Sequence, residues 1–143
     1  RTFSKAYGLA GLRVGYSISN SQIADLLNRA RGPFNVNSMA LAAAKAVLAD
    51  ADYLAEAIAV NNFGLKQLAD GFHRLGVNFI PSAGNFISFD AGKDAAILYQ
   101  DLLQAGVIVR PIGVYEMPNY LRVSVGLANE NEKFLIALEQ LIT

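Results

Sequence analysis

The sequence predicts an α/β fold in two organisations joined by long helices, and three observations carry that expectation. Short runs rich in β-branched and aromatic residues, some alternating apolar with polar, occur near the start and again in the second half. Alanine-rich and helically spaced apolar residues fill the middle, from Met39 to Leu75. From about residue 76 onward, strand-like and helix-like segments take turns, as in a small α/β domain with helices on one face of a short sheet. The expected division is 1–32, the end of a larger α/β domain; 33–75, linking helices; and 76–143, the small C-terminal α/β domain.

Taken in order, Lys5 to Gly11 reads as a loop, and Leu12 to Ser19 alternates as a strand does. Ser19-Asn20-Ser21 offers helix caps before Ile23, Leu26, Leu27 and Ala30, and Gly32-Pro33 stops that helix. Asn37 or Ser38 caps the alanine-rich helix Met39–Leu48. A break with a fresh cap follows at Asp50-Ala51-Asp52. One long helix then runs to Leu75, with Gly76 suited to its C-terminal cap.

In the second half, Val77–Pro81 and Asn85–Asp90 read as strands around a Ser82-Ala83-Gly84 turn. Asp94–Ala105 is a helix ended by Gly106, and Val107–Arg110 a short strand stopped by Pro111. Leu121–Val125 alternates cleanly, setting Arg122 and Ser124 on the face opposite Leu121, Val123 and Val125. Asn129 with Glu132 reads as a capping box for the last helix, whose apolar face includes Phe134, Leu135, Leu138 and Leu141.

Bulk properties narrow the function. The 143 residues are 53% hydrophobic, which argues against disorder, and 12 basic residues balance 12 acidic ones. That balance gives no electrostatic case for nucleic acid or an anionic membrane. The absence of cysteine excludes a disulfide framework and thiolate chemistry, and the single His73, read as a solvated surface residue, cannot form a metal cluster alone. The most apolar window, Met39–Ala49, is too short to span a bilayer and is interrupted by Lys45. The expectation is a soluble, cytoplasmic protein.

The chemistry concentrates in Thr2-Phe3-Ser4-Lys5-Ala6-Tyr7-Gly8-Leu9-Ala10-Gly11-Leu12-Arg13-Val14-Gly15-Tyr16. A lysine amine attacks carbonyls only when neutral, and apolar Phe3, Ala6 and Leu9 could help desolvate it. An always-charged arginine and a short hydroxyl suit a phosphate, and glycines at 8, 11 and 15 let the backbone turn and approach closely. The stretch resembles the cofactor-lysine segment of the fold type I aminotransferases that use pyridoxal 5'-phosphate, nearest to the histidinol-phosphate aminotransferases. The segment Pro33–Ser38 resembles that family's link into its domain-spanning helices.

The resemblance implies that Lys5 is catalytic and holds the cofactor covalently, with Thr2 and Arg13 on its phosphate. It implies that Arg122, in Leu-Arg-Val-Ser-Val-Gly, grips an anionic substrate group. Arg110 resembles the arginine that joins it on a substrate phosphate, and Asn85 lies in a strand that approaches the active site. Tyr16, Tyr53, Tyr99 and Tyr120 read as packing groups. The implied fold is the C-terminal portion of a fold type I enzyme, with residues 1–32 the tail of the large cofactor-binding domain. The implied reaction moves an amino group from a small-molecule donor, histidinol phosphate, to a 2-oxo acid such as 2-oxoglutarate. The resemblance also implies a homodimer when full length and a fragment inactive alone. Alternatives are an aromatic or other amino-acid aminotransferase, a threonine-phosphate-type decarboxylase, or a stand-alone non-catalytic domain.

Overall fold

The computed structural model describes residues 1–92 and 94–142. The chain divides into two compact units, Arg1–Ile58 and Ala59–Thr143.

In the first unit, α1 spans Ser21–Ala30 and α2 spans Ser38–Ala49, each opened by an asparagine. Asn20 Oδ1 accepts from the Ile23 N–H (2.9 Å) and Asn37 Oδ1 from the Ala40 N–H (2.8 Å). Each cap satisfies one of the N–H groups that the first helical turn leaves unpaired. A new helix, α3 (Ala51–Leu75), starts one residue after α2, with Asp50 Oδ1 accepting from the Tyr53 N–H. The core of this unit is small: Phe3, Val14, Ala40 and Ala44 are buried, with Tyr7, Leu9, Leu12, Val36 and Val47 against them. The expected strand over Leu12–Ser19 does not form. Ala10–Leu12 is a 3-10 turn and Arg13 takes a left-handed backbone (φ 54°), which breaks the pleat. What survives of the alternation is one antiparallel bridge, Thr2 to Gly15.

The second unit holds a four-stranded antiparallel sheet in the order β1-β2-β4-β3: β1 Phe79–Ile80, β2 Phe86–Asp90, β3 Arg110–Pro111 and β4 Tyr120–Ser124. Its two further helices are α4 (Ala95–Gln104), capped by Asp94, and α5 (Ala128–Ile142). Ile87, Phe89, Leu121 and Val123 point to one face and pack with Leu68, Phe72, Leu98, Leu102, Phe134 and Leu138 from the helices. Phe72 sits amid Phe79, Phe89 and Phe134, with ring centroids 5.1 to 6.0 Å away. Gly76 and Gly106, at φ 66° and 75°, end α3 and α4 as the sequence predicts.

β3 and the start of α5 differ from the sequence expectation. The strand expected over Val107–Arg110 is displaced: Val107 N–H still bonds back to the Leu102 carbonyl, and pairing begins only at Arg110. Pro111 lies inside β3 rather than stopping it, which an edge strand tolerates because proline lacks only a donor. The last helix begins before the expected capping box. Glu130, not Glu132, reaches back, its Oε2 accepting from the Leu127 N–H at 2.7 Å. Buried Asn131 fixes the same turn, bonding both the N–H and the carbonyl of Gly126, and Gln67 on α3.

Candidate active site

The loop carrying Lys5 is closed at its neck. Phe3 N–H donates to the Val14 carbonyl (3.2 Å), Tyr16 N–H to the Arg1 carbonyl (2.9 Å), and Leu9 N–H to the Phe3 carbonyl (2.9 Å). Burial of the Phe3 and Val14 side chains holds the two limbs together. Gly15 is required by this closure, since a Cβ there would lie 2.6 Å from the Arg1 carbonyl oxygen. Inside the loop, Gly8 N–H bonds to the Lys5 carbonyl at 2.8 Å, with Gly8 at φ 70°. A side chain at Gly8 would also meet the Tyr53 hydroxyl, so Tyr53 packs over the Lys5 turn. Of the three loop glycines read as turn makers, Gly11 has open space around it and ordinary backbone; the left-handed position falls on Arg13 instead.

Lys5 is exposed, and its side-chain amine makes no hydrogen bond or ion pair with the described residues. Of the apolar neighbours expected to desolvate it, Phe3 is buried and Leu9 half-buried, while Ala6 is exposed. Arg13 is exposed and spends one N–H on the Ala10 carbonyl (2.7 Å), which orients its guanidinium and leaves further donors open. Thr2 Oγ1 accepts from the Ser4 N–H (3.0 Å), leaving its hydroxyl proton to donate outward. The antiparallel neck sets Thr2 beside Gly15, so hydroxyl and guanidinium stand on adjoining limbs. An amine, a guanidinium and a hydroxyl on one tethered loop form a donor set suited to an aldehyde that carries a phosphate.

The second group of residues lies on the sheet face away from the helices. Arg122 is opposite Ser88 on one side and Arg110 on the other, in register. The pleat therefore puts both arginines on the same face. Arg122 Nε is buried without a hydrogen-bond partner, and the guanidinium lies over the Phe86 ring, 4.7 Å from its centroid. Arg110 is exposed. Among the described residues, neither arginine has an acidic partner. Like charges placed opposite each other on neighbouring strands destabilise a sheet. The sequence predicts the common face for Arg122 and Ser124, and the resemblance pairs Arg110 with Arg122 on neighbouring strands; that the two stand directly opposite depends on register.

Asn85 is exposed just before β2, and its carbonyl accepts from the Val125 N–H at 2.9 Å. Its contribution in the structure is through backbone. His73 is exposed and packs edge-on against Phe79, in keeping with a surface residue. Tyr16 packs against Phe3 with centroids 5.9 Å apart.

This chain belongs to the class I and II aminotransferases, whose family model matches residues 1–138. It is 60% identical over 142 residues to histidinol-phosphate aminotransferase 2 of Pseudomonas aeruginosa, covering 99% of this chain but 38% of that protein. The chain thus spans well under half the length of the relative it matches. Among solved structures, it is similar to histidinol-phosphate aminotransferase from Sinorhizobium meliloti in complex with pyridoxal-5'-phosphate. That likeness has a TM-score of 0.90 at 35% identity, over 99% of this chain and 40% of the other. It is also similar to L-threonine-O-3-phosphate decarboxylase from Porphyromonas gingivalis, with a TM-score of 0.84 at 26% identity over 98% and 45% of the two chains.

Proposed function

We propose that this chain is the C-terminal part of a histidinol-phosphate aminotransferase that uses pyridoxal 5'-phosphate, and that it is inactive alone. The observation that carries the substrate assignment is the in-register facing of Arg110 and Arg122. Two unneutralised guanidiniums on one open sheet face suit a phosphate dianion better than a single carboxylate. The 60% identity to the Pseudomonas aeruginosa enzyme supports the same reading.

In this reading Thr2 and Arg13 hold the cofactor phosphate and Lys5 binds its aldehyde carbon. When bound, the cofactor supplies a conjugated ring that draws electrons from the substrate's α-carbon. With its Nζ free, Lys5 would take the proton from the substrate's α-carbon and return it to the carbon two bonds away, across the nitrogen. Arg122 and Arg110 orient the donor by its phosphate, and Asn85 flanks the site. 2-Oxoglutarate then takes up the amino group. The intact protein works as a cytoplasmic homodimer. Among the described residues, no helix is long and apolar enough to cross a membrane.

The test is borohydride reduction of the intact, cofactor-loaded protein followed by peptide mass spectrometry. The expected adduct is on Lys5; an adduct elsewhere, or none, overturns the reading. A second reading, decarboxylation of a phosphorylated amino acid, is favoured by the likeness to the Porphyromonas gingivalis structure. Carbon dioxide release without glutamate formation would select it.

A further inference from the structure

We infer that Phe86 is a positioning residue for the substrate anion, holding the Arg122 guanidinium flat so that its terminal nitrogens form the binding edge. This rests on the proposed anion-binding role of the facing arginines.

Three observations converge on Phe86. Register puts it opposite Ser124, diagonal to Arg122, on the open face of the sheet. Alternation turns Ile87 and Phe89 into the core but leaves the Phe86 ring half-buried on the other side, where it is no part of the core cluster. The Arg122 Cζ lies 4.7 Å from its centroid, within the range where a cation is attracted to a ring face.

The effect on Arg122 is selective. Its Nε is sealed without a partner, whereas neither terminal nitrogen is buried and unpaired, and neither bonds to a protein acceptor among the described residues. A ligand reaching Arg122 therefore meets the two Nη atoms, which can bind two oxygens of a phosphate or carboxylate side by side. Arg110, facing Arg122 across the ladder, repels it. Without an attractive surface beneath it, the Arg122 guanidinium would swing away from its neighbour. The ring gives it a reason to stay before any anion arrives.

The experiment measures binding of inorganic phosphate by calorimetry to the intact cofactor-loaded protein, alongside its thermal midpoint. Phe86→Leu keeps apolar bulk and removes the ring face; Phe86→Tyr keeps the ring. We expect Phe86→Leu to weaken phosphate roughly three- to thirtyfold with little change in midpoint, and Phe86→Tyr to bind as the parent does. Phe86→Met serves the same comparison if Phe86→Leu fails to fold. Leucine and tyrosine variants binding alike, whether both strong or both weak, would overturn the inference. Arg122→Gln separates the two proposals. If it abolishes phosphate binding while Phe86→Leu is neutral, only the role of Phe86 fails. If it leaves binding intact, the anion site itself fails, and this inference with it.

Discussion

Arg110 and Arg122 face each other across the β3–β4 ladder, although like charges directly opposite on neighbouring strands destabilise a sheet. Arg122 also carries an unpaired buried Nε, and burying a polar group unsatisfied costs about 1–3 kcal/mol. A fold selected for stability alone would place an acid or a neutral residue at one of these positions. The arrangement makes sense where the missing counter-charge is brought by a ligand. Arg110→Ala should therefore leave the thermal midpoint unchanged or raise it, while weakening a phosphorylated donor more than a plain amino acid. Comparing kcat/KM for the two donor types checks this, and equal losses would contradict the phosphate assignment.

The neck of the Lys5 loop has no room for a side chain at position 15. Gly15→Ala would drive a methyl against the Arg1 carbonyl oxygen, 2.6 Å away, and backbone cannot rotate aside as a side chain can. The limbs must part by several tenths of an ångström, separating Thr2 from its neighbour. We expect a loss of about 1–3 kcal/mol of stability, in the range of over-packing elsewhere, and faster loss of cofactor. Urea unfolding and gel filtration of the loaded protein measure the two effects.

Asn131 is the one buried polar side chain in the second unit's described residues, and it makes three hydrogen bonds, two to the Gly126 backbone and one to Gln67 on α3. Asn131→Ala leaves the Gly126 N–H and carbonyl and the Gln67 amide without their partner. An unsatisfied buried group costs about 1–3 kcal/mol; because Gly126 and Gln67 are only half-buried and can partly rehydrate, a total near 2–4 kcal/mol is expected. Chemical denaturation should show this as a lower midpoint with an unchanged slope.

Phe72 anchors the aromatic cluster between α3 and the sheet and is fully buried. Phe72→Ala should cost about 3–5 kcal/mol through lost transfer energy and a residual cavity. Ile18, at 89% exposure, provides the contrast: Ile18→Ser should change stability by under about 0.5 kcal/mol. Both are read from the same unfolding curves.

The helices were legible because their signals are local. Asn20, Asn37, Asp50 and Asp94 cap helices by bonding backbone two or three residues away, and Gly76 and Gly106 end them by backbone conformation. What failed was non-local. Leu12–Ser19 alternates like a strand, but a strand needs a paired neighbour, and among the described residues only the Thr2–Gly15 bridge supplies one here. Val107–Val109 is equally strand-like by composition, yet its first amide is claimed by the end of α4. At the start of α5, Glu130 and Glu132 both lie close enough to serve as the capping acid. The choice of Glu130 follows from where Asn131 pins the preceding turn.

The candidate site divides along the same line. Lys5, Thr2 and Arg13 are recognisable because a contiguous segment carries them. Arg122 is recognisable by its strand. That Arg110 stands against Arg122, and that Phe86 lies beneath it, follows from pairing across three separated strands. No reading of spacing along the chain could supply that.

Because Phe3 and Val14 clasp the base of the Lys5 loop, its conformational freedom is surrendered during folding and not at the moment of capture. Ordering a residue's backbone costs about 1–2 kcal/mol, so a segment that waits already shaped spares its ligand a heavy entropic toll. Association should accordingly proceed in a single kinetic phase, with no slow step in which the chain gathers itself around its guest.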